Sequence, residues 1–347
     1  ILSHRYDEAT DLLQSQLIPL DPANAYYWNL LGQTYRDTGA LKQAETSYLK
    51  SIALAETAKN QAAYVDAVSN RLTLMHYMPE HSAEDILQAC KEWGAMFTPD
   101  HPIVRPRPTN SSPSRKIRVG LYADGFSAGP VSLMITPSLE HLRRFGFEIY
   151  LYANNPTYDH VAQRLIAAAD RHATILQLSN EQFVQRIRDD GIDILVDLAG
   201  YNTSTRMSAM ALEPAPLLVK WVGGLINTTG LPAIDYLITD RIESPLGSDA
   251  FYTEKLIRMP DDYVCYLPPP NIPDVGPLAA WKNGYVTLGC FNNPTKINEV
   301  VLEKWAGIRQ ALPDSRILLT GGAYVSAALC RRVQEIMQGH GIAAERL

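Results

Sequence analysis

The sequence predicts a helical-repeat array followed by α/β domains, and three observations carry that expectation. A helical-hairpin repeat pattern occupies the amino-terminal region. From Lys116 onward, short β-branched runs alternate with amphipathic stretches, and a second strand–helix–strand–helix series opens at Tyr285. The 347 residues, 46% hydrophobic and 20% charged, suffice for two or three domains with substantial cores. A net charge of -6 gives no basic excess, and no basic run is interleaved with aromatics, so nucleic acid is not an expected partner. Cys90, Cys265, Cys290 and Cys330 form no CxxC pair; neither a zinc site nor a disulfide framework is expected, and a reducing, cytoplasmic setting fits best. No apolar run approaches the roughly 18 residues that span a bilayer, and "ILSHRYDEATDLLQ" lacks a signal-peptide layout, so membrane insertion is not expected.

The repeat comes first along the chain. In "NAYYWNLLGQTYRDTGALKQAETSYLKSIAL", Trp28, Leu31, Gly32 and Tyr35 mark a first helix and Gly39, Ala44 and Tyr48 a second, at tetratricopeptide (TPR) offsets. Gly32 and Ala44 let two helices approach, while Trp28, Tyr35 and Tyr48 fill the groove around them. Upstream, "YDEATDLLQSQLIPLDP" reads as the second helix of a preceding repeat, with Ala9 in the place of Ala44 and Pro22 closing the unit. One repeat cannot bury its own apolar face, so the chain is expected to start inside a longer solenoid. "KNQAAYVDAVSNRLTLMHYM" and "SAEDILQACKEWGAMF" would cap the array, and proline-rich "HPIVRPRPTNSSPSRK" reads as a linker.

The α/β part follows. "IRVGLYA", "FEIYLYA", "ATILQLS", "IDILVDLAG", "PLLVKWVGG" and "IDYLITD" read as strands of a parallel sheet, because near-continuous apolar strands need helices on both faces. Strand "YVTLGCF", helix "NEVVLEKWAGIRQALP", strand "RILLTGG" and helix "VSAALCRRVQEIMQGHG" open a second such domain, which two strands cannot complete.

Ligands of open α/β sheets sit beyond the carboxyl ends of the strands. Lys296 lies at such an end, just before Asn298 and Glu299 open a helix whose free N–H groups and dipole favour an anion, so a phosphate or diphosphate is its natural ligand. The first strand runs into "LYADGFSAGP" and not GxGxxG, which demotes a dinucleotide site, although Gly125 and Gly129 allow a tight loop near a ligand. Arg206, on an expected helix past Gly200, would reach an anionic or hydroxylated ligand. The glycines and threonines of "WVGGLINTTG" offer N–H groups and hydroxyls to a sugar or phosphate, while Trp221 is expected in the core.

The ordered set "RVGLYADGF", "GIDILVDLAGYNTSTR", "MALEPAPLLVKWVGG", "IDYLITD", "YTEKLIRMP" and "GCFNNPTKIN", preceded by the repeats, resembles the O-linked N-acetylglucosamine transferase and SPINDLY family in its bacterial form. The resemblance covers essentially the whole chain. It implies a TPR-like helical solenoid followed by a GT-B pair of Rossmann-like domains, the second incomplete. The implied boundaries are 1–56 for TPR repeats, 57–114 for helical cap and linker, 115–282 for the first Rossmann-like domain and 283–347 for the start of the second. It further implies a glycosyltransferase that moves a sugar from a UDP-sugar donor to Ser or Thr of a protein acceptor held by the TPR groove, with no metal and no other cofactor. Lys296 matches the family lysine that holds the donor diphosphate, with Asn292 and Asn293 lining the same loop. Arg206 matches a family arginine, Val222 and Gly223 match the backbone flanking the sugar, and Asp124, Gly125, Gly129 and Pro130 form an active-site loop.

Departures from the pattern qualify this reading. "SAGP" stands where the family reads G-x-H-P, so Gly129 occupies the position of an active-site histidine. Thr295 stands where an aromatic is common, and "GGLINTTG" carries one extra residue. His76 lies near another family active-site stretch and is a second catalytic candidate; a lone helix histidine, like His172 beside "ATILQLS", also serves as packing. The resemblance implies that His-Thr-Thr and Asp loops gripping uridine and ribose lie beyond Leu347 and that the chain is cut at both ends. Two other readings stand beside the transferase: a TPR scaffold with an inactive transferase-like body, and a sugar-nucleotide epimerase.

Overall fold

The computed structural model describes residues 5–108, 112, 114–155, 159–201, 205–224 and 227–343. Internal contacts divide the chain into two compact units, one made of Ile1–His81 with Ile272–Leu347 and the other of Ser82–Asn271. Among the described residues no helix is long and apolar enough to cross a membrane.

The first unit opens with helix α1 (Tyr6–Leu12), which runs through a π-helical stretch at Leu13–Leu17 into α2 (Ile18–Leu20). Helices α3 (Ala25–Asp37) and α4 (Leu41–Thr57) pair tightly, and α5 (Gln61–Met75) packs on both. Asn24 and Asn60 cap α3 and α5 by accepting from Tyr26 N and Ala63 N, as short polar residues do at helix starts. At Gly32 an added Cβ would lie 2.5 Å from Tyr48 Cε1, so the absence of a side chain is what lets α3 meet α4; Ala44 and Tyr48 are fully buried at that seam.

The second unit begins with α6 (Ala83–Ala95), started by a reciprocal Ser82–Asp85 capping box. The chain then alternates through β1 (Ile117–Ala123), α7 (Pro130–Leu142), β2 (Phe147–Ala153), α8 (His160–Ala168), β3 (Arg171–Thr174), α9 (Asn180–Asp189), β4 (Ile194–Asp197), α10 (Met207–Ala211), β5 (Leu217–Trp221), β6 (Tyr236–Asp240) and β7 (Lys255–Met259). All seven strands are parallel, in the order β3-β2-β1-β4-β5-β6-β7. Leu121, Ile149, Leu151, Ile135, Leu139, Val161 and Leu165 are almost fully buried between sheet and helices, as expected for apolar strands covered by crossover helices.

Two strands differ from the sequence expectation. "ATILQLS" leaves the sheet early: β3 pairs from Arg171 to Thr174, and Ile175 turns away to become fully buried. An edge strand is hydrogen-bonded on one side only, so exposed Arg171 and His172 can occupy it. β7 was not anticipated, because in "KLIRM" the alternation does not follow polarity: Leu256 and Arg258 are half-buried while Lys255, Ile257 and Met259 are exposed at the other edge.

The chain returns to the first unit with α11 (Ala279–Asn283), β8 (Thr287–Cys290), α12 (Glu299–Ala311), β9 (Arg316–Leu319) and α13 (Ala327–Gly339); β8 and β9 form a parallel pair. Leu302, Ala306, Ile317, Leu329, Val333 and Met337 share a core with Tyr6 of α1. Long-range polar bonds fix this association. Asp7 accepts from Ser326 Oγ at 2.7 Å and Ala327 N at 2.9 Å, so it caps α13 from about 320 residues away. Thr295 Oγ1 donates to Arg36 O at 3.0 Å, and Asn298 Nδ2 to Tyr77 O at 3.2 Å. The helical hairpins and the second α/β segment are therefore one packed body.

Candidate active site

In the seven-stranded sheet, β1 and β4 are neighbours from which the chain winds outward in opposite directions, which opens a crevice beyond their carboxyl ends. The loops after β1, β4 and β5 leave the sheet at this edge, and those after β4 and β5 touch at Gly200 and Gly224. The loop after β1 carries Asp124, Gly125, Gly129 and Pro130. Asn155 pins its start, donating from its backbone N to Asp124 O and from Nδ2 to Asp124 Oδ1, both at 2.5 Å. Asp159 pins its far end, accepting from Ala128 N at 2.7 Å while capping α8 through Val161 N and Ala162 N; these N–H groups, Ala162 first, hold its carboxyl below the usual range.

Gly129 is the residue before α7, with Pro130 as the first helical position. Its φ of -109° is open to any residue, and an added Cβ would approach nothing closer than Ser127 Oγ at 3.8 Å. The loop is tight at this position, where Gly129 N donates to Ser127 O at 2.6 Å, but the backbone does not require glycine, and space for a side chain is present.

The turn after β5 is different. Val222, Gly223 and Gly224 all have positive φ, at 36°, 65° and 67°. An added Cβ on Gly223 would lie 1.7 Å from Leu198 O, and Gly200 and Gly224 approach each other so closely that a Cβ on either would meet the other's backbone at about 3.1–3.2 Å. The turn is therefore pressed against the end of β4. Lys220, only 3% exposed, lies beneath it: Nζ donates to Val222 O and to Gly223 O at 2.7 Å, and sits 3.6 Å from Asp197 Oδ2, whose side chain is fully buried. Burial lowers the Lys220 pKa, against the opposing pull of Asp197 and Glu254. Asp197 also accepts from Ala199 N at 2.8 Å and Gly200 N at 3.1 Å, fixing the loop after β4.

Thr228 and Thr229 do not offer their hydroxyls to a ligand, contrary to the sequence expectation. Both are buried; Thr228 Oγ1 donates to Glu254 Oε2 at 2.8 Å, and Thr229 donates to Glu254 Oε1 through both N (2.7 Å) and Oγ1. Trp221 is half-buried against the sheet core and donates from Nε1 to Tyr263 O at 2.7 Å. Residues 202–204 of "GYNTSTR" and 225–226 of "GGLINTTG" lie outside the described residues.

Arg206 immediately precedes α10, and its guanidinium is taken up by the protein: Nε donates to Asn154 Oδ1 (3.1 Å), Nη1 to Leu178 O (2.8 Å) and Asn180 Oδ1 (3.1 Å), and Nη2 to Ile175 O (2.8 Å), with its carbon 5.8 Å from the Phe183 ring centre. It ties the ends of β2 and β3 to α10, so the expected reach toward an anion gives way to support of the loops. His76 ends α5; Nδ1 donates to Leu72 O at 2.8 Å, Nε2 is buried without a hydrogen-bond partner, and burial lowers its pKa. The bond to Leu72 O fixes the ring, and the lowered basicity favours the neutral imidazole.

The β8–α12 connection carries Asn292, Asn293 and Lys296, all exposed. A 3-10 turn at Pro294–Lys296 is shaped by Asn293, whose Oδ1 accepts from Thr295 N at 3.1 Å and Thr295 Oγ1 at 3.0 Å. Asn298 caps α12 by accepting from Val301 N at 3.0 Å. The exposed Lys296 side chain thus leaves the chain three residues before Glu299, the first residue of the 13-residue helix α12, beyond the carboxyl end of β8. Thr295 is buried and bonded to Arg36 O, which accounts for a hydroxyl at this position.

Sequence reasoning passed over Lys220, Asp197, Glu254 and Asp159. One signal was available, since a lysine inside the apolar run "PLLVKWV" must find partners if the strand is buried. Glu254 and Asp159 sit in polar segments with no such contrast.

Residues 97–266 match the model of glycosyl transferase family 41. The chain is 32% identical over 287 residues to a probable UDP-N-acetylglucosamine–peptide N-acetylglucosaminyltransferase, SPINDLY, of Arabidopsis thaliana, an alignment covering 81% of this chain and 31% of that protein. It is 31% identical over 153 residues to a UDP-N-acetylglucosamine–peptide N-acetylglucosaminyltransferase of Caenorhabditis elegans, covering 43% of this chain and 13% of that one. Among solved structures, a lysine-to-methionine variant of the O-GlcNAc transferase of Thermobaculum terrenum superposes with a TM-score of 0.90 at 32% identity, covering 99% of this chain and 64% of the other. The chain spans about a third of the length of the curated relatives it matches.

Proposed function

For a chain that belongs to the O-linked N-acetylglucosamine transferase and SPINDLY family of glycosyltransferases, we propose transfer of a GlcNAc-like sugar from a nucleotide-diphosphate donor to Ser or Thr of a protein, with the amino-terminal helical repeats holding the acceptor. The observation that carries this reading is the exposed Lys296 ammonium beside the amino end of α12. As the nucleotide leaves, negative charge grows on its phosphate oxygens, and a fixed cation with a helix amino end stabilises that charge more than the ground state. Asn292 and Asn293 line the same connection, and the backbone of Val222 and Gly223 flanks the sugar. Arg206 supports the loops around the donor. In this reading the protein's own groups meet the leaving-group charge, and the transfer uses no metal.

Nucleotide release from UDP-, GDP- and CMP-sugars, with and without acceptor proteins, tests the proposal on the full-length protein. Lys296→Ala is expected to weaken transition-state binding by about 2–4 kcal/mol, a fall of roughly 30- to 1,000-fold in kcat/KM. Turnover equal to wild type refutes the role of Lys296. Gly129 favours a second reading, an inactive body serving as a scaffold, because no imidazole is available there. Absence of nucleotide release from any donor favours that alternative.

A further inference from the structure

We propose that Lys220 and Glu254 are positioning residues that hold the Val222–Gly224 turn and the Thr228–Gly230 segment, an inference that rests on reading the stretch after β5 as sugar-facing. The turn is held by a cation and the threonine segment by an anion. Lys220 Nζ lies at the convergence of four carbonyls: those of Val222, of Gly223 at 2.7 Å, and of Asp197 and Trp221 at 3.4 Å. Left-handed Val222 and Gly223 turn the chain so that their two oxygens face the same ammonium, whereas an extended strand end would aim them to alternate sides. The turn supplies the acceptors that make a buried ammonium tolerable, and the ammonium offsets the strain of a left-handed Val222.

Glu254, 5% exposed, does the complementary work at the other end by accepting from Thr228 Oγ1 and from both N and Oγ1 of Thr229. Tyr201, from the loop after β4, adds a bond from its OH to Thr228 O at 2.5 Å. Beyond the threonines, Gly230 packs on α6 so closely that an added Cβ would lie 2.0 Å from Cys90 O. Charges on both sides face the ammonium: Asp197 from β4, and Glu254 from the segment leading into β7. A well-packed apolar pair would fill this space with no desolvation cost, so the directional bonds, and with them the shape of the loop, are what the charges contribute.

The test uses Lys220→Met, which keeps volume and removes the donor, and Glu254→Gln, which keeps one carboxylate-like acceptor. Two measurements are made on the full-length protein: steady-state nucleotide release, and amide hydrogen exchange of residues 217–231. Lys220→Met is expected to lower kcat about 10²-fold, with a smaller change in KM for the acceptor, as for a displacement of about 1 Å at a reacting centre. Exchange within Val222–Gly224 and Thr228–Gly230 is expected to quicken by about tenfold or more, with β1 and β2 unchanged and a smaller effect in Glu254→Gln. Wild-type kcat together with wild-type exchange in Lys220→Met overturns the proposal. Should Lys220→Met fail to fold, Lys220→Met with Asp197→Asn removes the orphaned carboxylate and gives the same two readings. If the wild type releases no nucleotide, the transferase reading fails, and exchange alone decides the clamp: quickened exchange upholds it and unchanged exchange overturns it.

Discussion

Gly223→Ala tests the tight turn over β4 most directly. The residue has φ of 65°, and an added methyl would lie 1.7 Å from Leu198 O, half the 3.4 Å of ordinary contact. Two costs follow. Placing an L-residue in the left-handed region costs about 1–2 kcal/mol. Relieving the overlap requires backbone at the end of β4 to move, because the obstructing atom is a carbonyl and not a flexible side chain, and overpacking of this kind costs about 1–3 kcal/mol or more. A total near 2–5 kcal/mol is a large part of a typical domain stability of about 5–15 kcal/mol. Gly146 supplies the control: it has φ of 82°, belongs to the same compact unit, and an added Cβ meets nothing within 4 Å, so Gly146→Ala carries the conformational cost alone. Urea unfolding of the two variants, followed by circular dichroism at matched m-values, should separate them by about 1–3 kcal/mol. Equal losses would show that the Gly223 turn is not pressed against β4 and would refute the reasoning.

Gly129→His is expected to fold with stability within about 0.5 kcal/mol of wild type, since φ of -109° suits histidine and its Cβ has room, as urea unfolding would show. A rise in nucleotide release in that variant would indicate that an imidazole at this position organises the site; an unchanged rate would indicate that it does not. Arg206→Ala should lose about 2–4 kcal/mol by the same unfolding assay, because the carbonyls of buried Ile175 and half-buried Leu178 lose a charged donor; a loss below about 0.5 kcal/mol would contradict its framework role. Asp193 concerns acid stability. Burial alone would raise its pKa, but Arg115, bonded to both its oxygens at 2.6 Å, and Arg118 N hold it below 3.8. A carboxylate with a lowered folded pKa contributes stability that is fully present above its unfolded value and lost as pH falls through the folded one. Stability of the wild type should therefore decline as pH drops below about 3.8, and Asp193→Asn should flatten that limb of a pH–stability curve.

Much of this fold was legible because its signals are local. Apolar runs such as "IRVGLYA" and "FEIYLYA" coincide with β1 and β2, and the small residues Gly32 and Ala44 mark the seam of α3 with α4. Lys296 was recognisable from a cation set between a strand and a capped helix. β7 was not, because an edge strand with alternating exposure resembles a polar loop. The fate of Arg206, Thr228 and Thr229 was also hidden. Their residue types suit a ligand, and whether protein groups claim them first depends on partners 25 to 52 positions away.

Local pattern suffices for the alternation of strands and helices, the helical hairpins, the position of Lys296 between a strand and a helix, and the family. Tertiary structure decided which polar groups remain available: Asp7 caps a helix about 320 residues distant, Glu254 claims two threonines, and Lys220 lies under a left-handed turn. The physical reason is the range of the forces involved. Periodicity and capping act within one or two turns of chain and are written in neighbouring residues, whereas a buried charge is satisfied by whatever acceptors the folded sheet brings within about 3 Å of it.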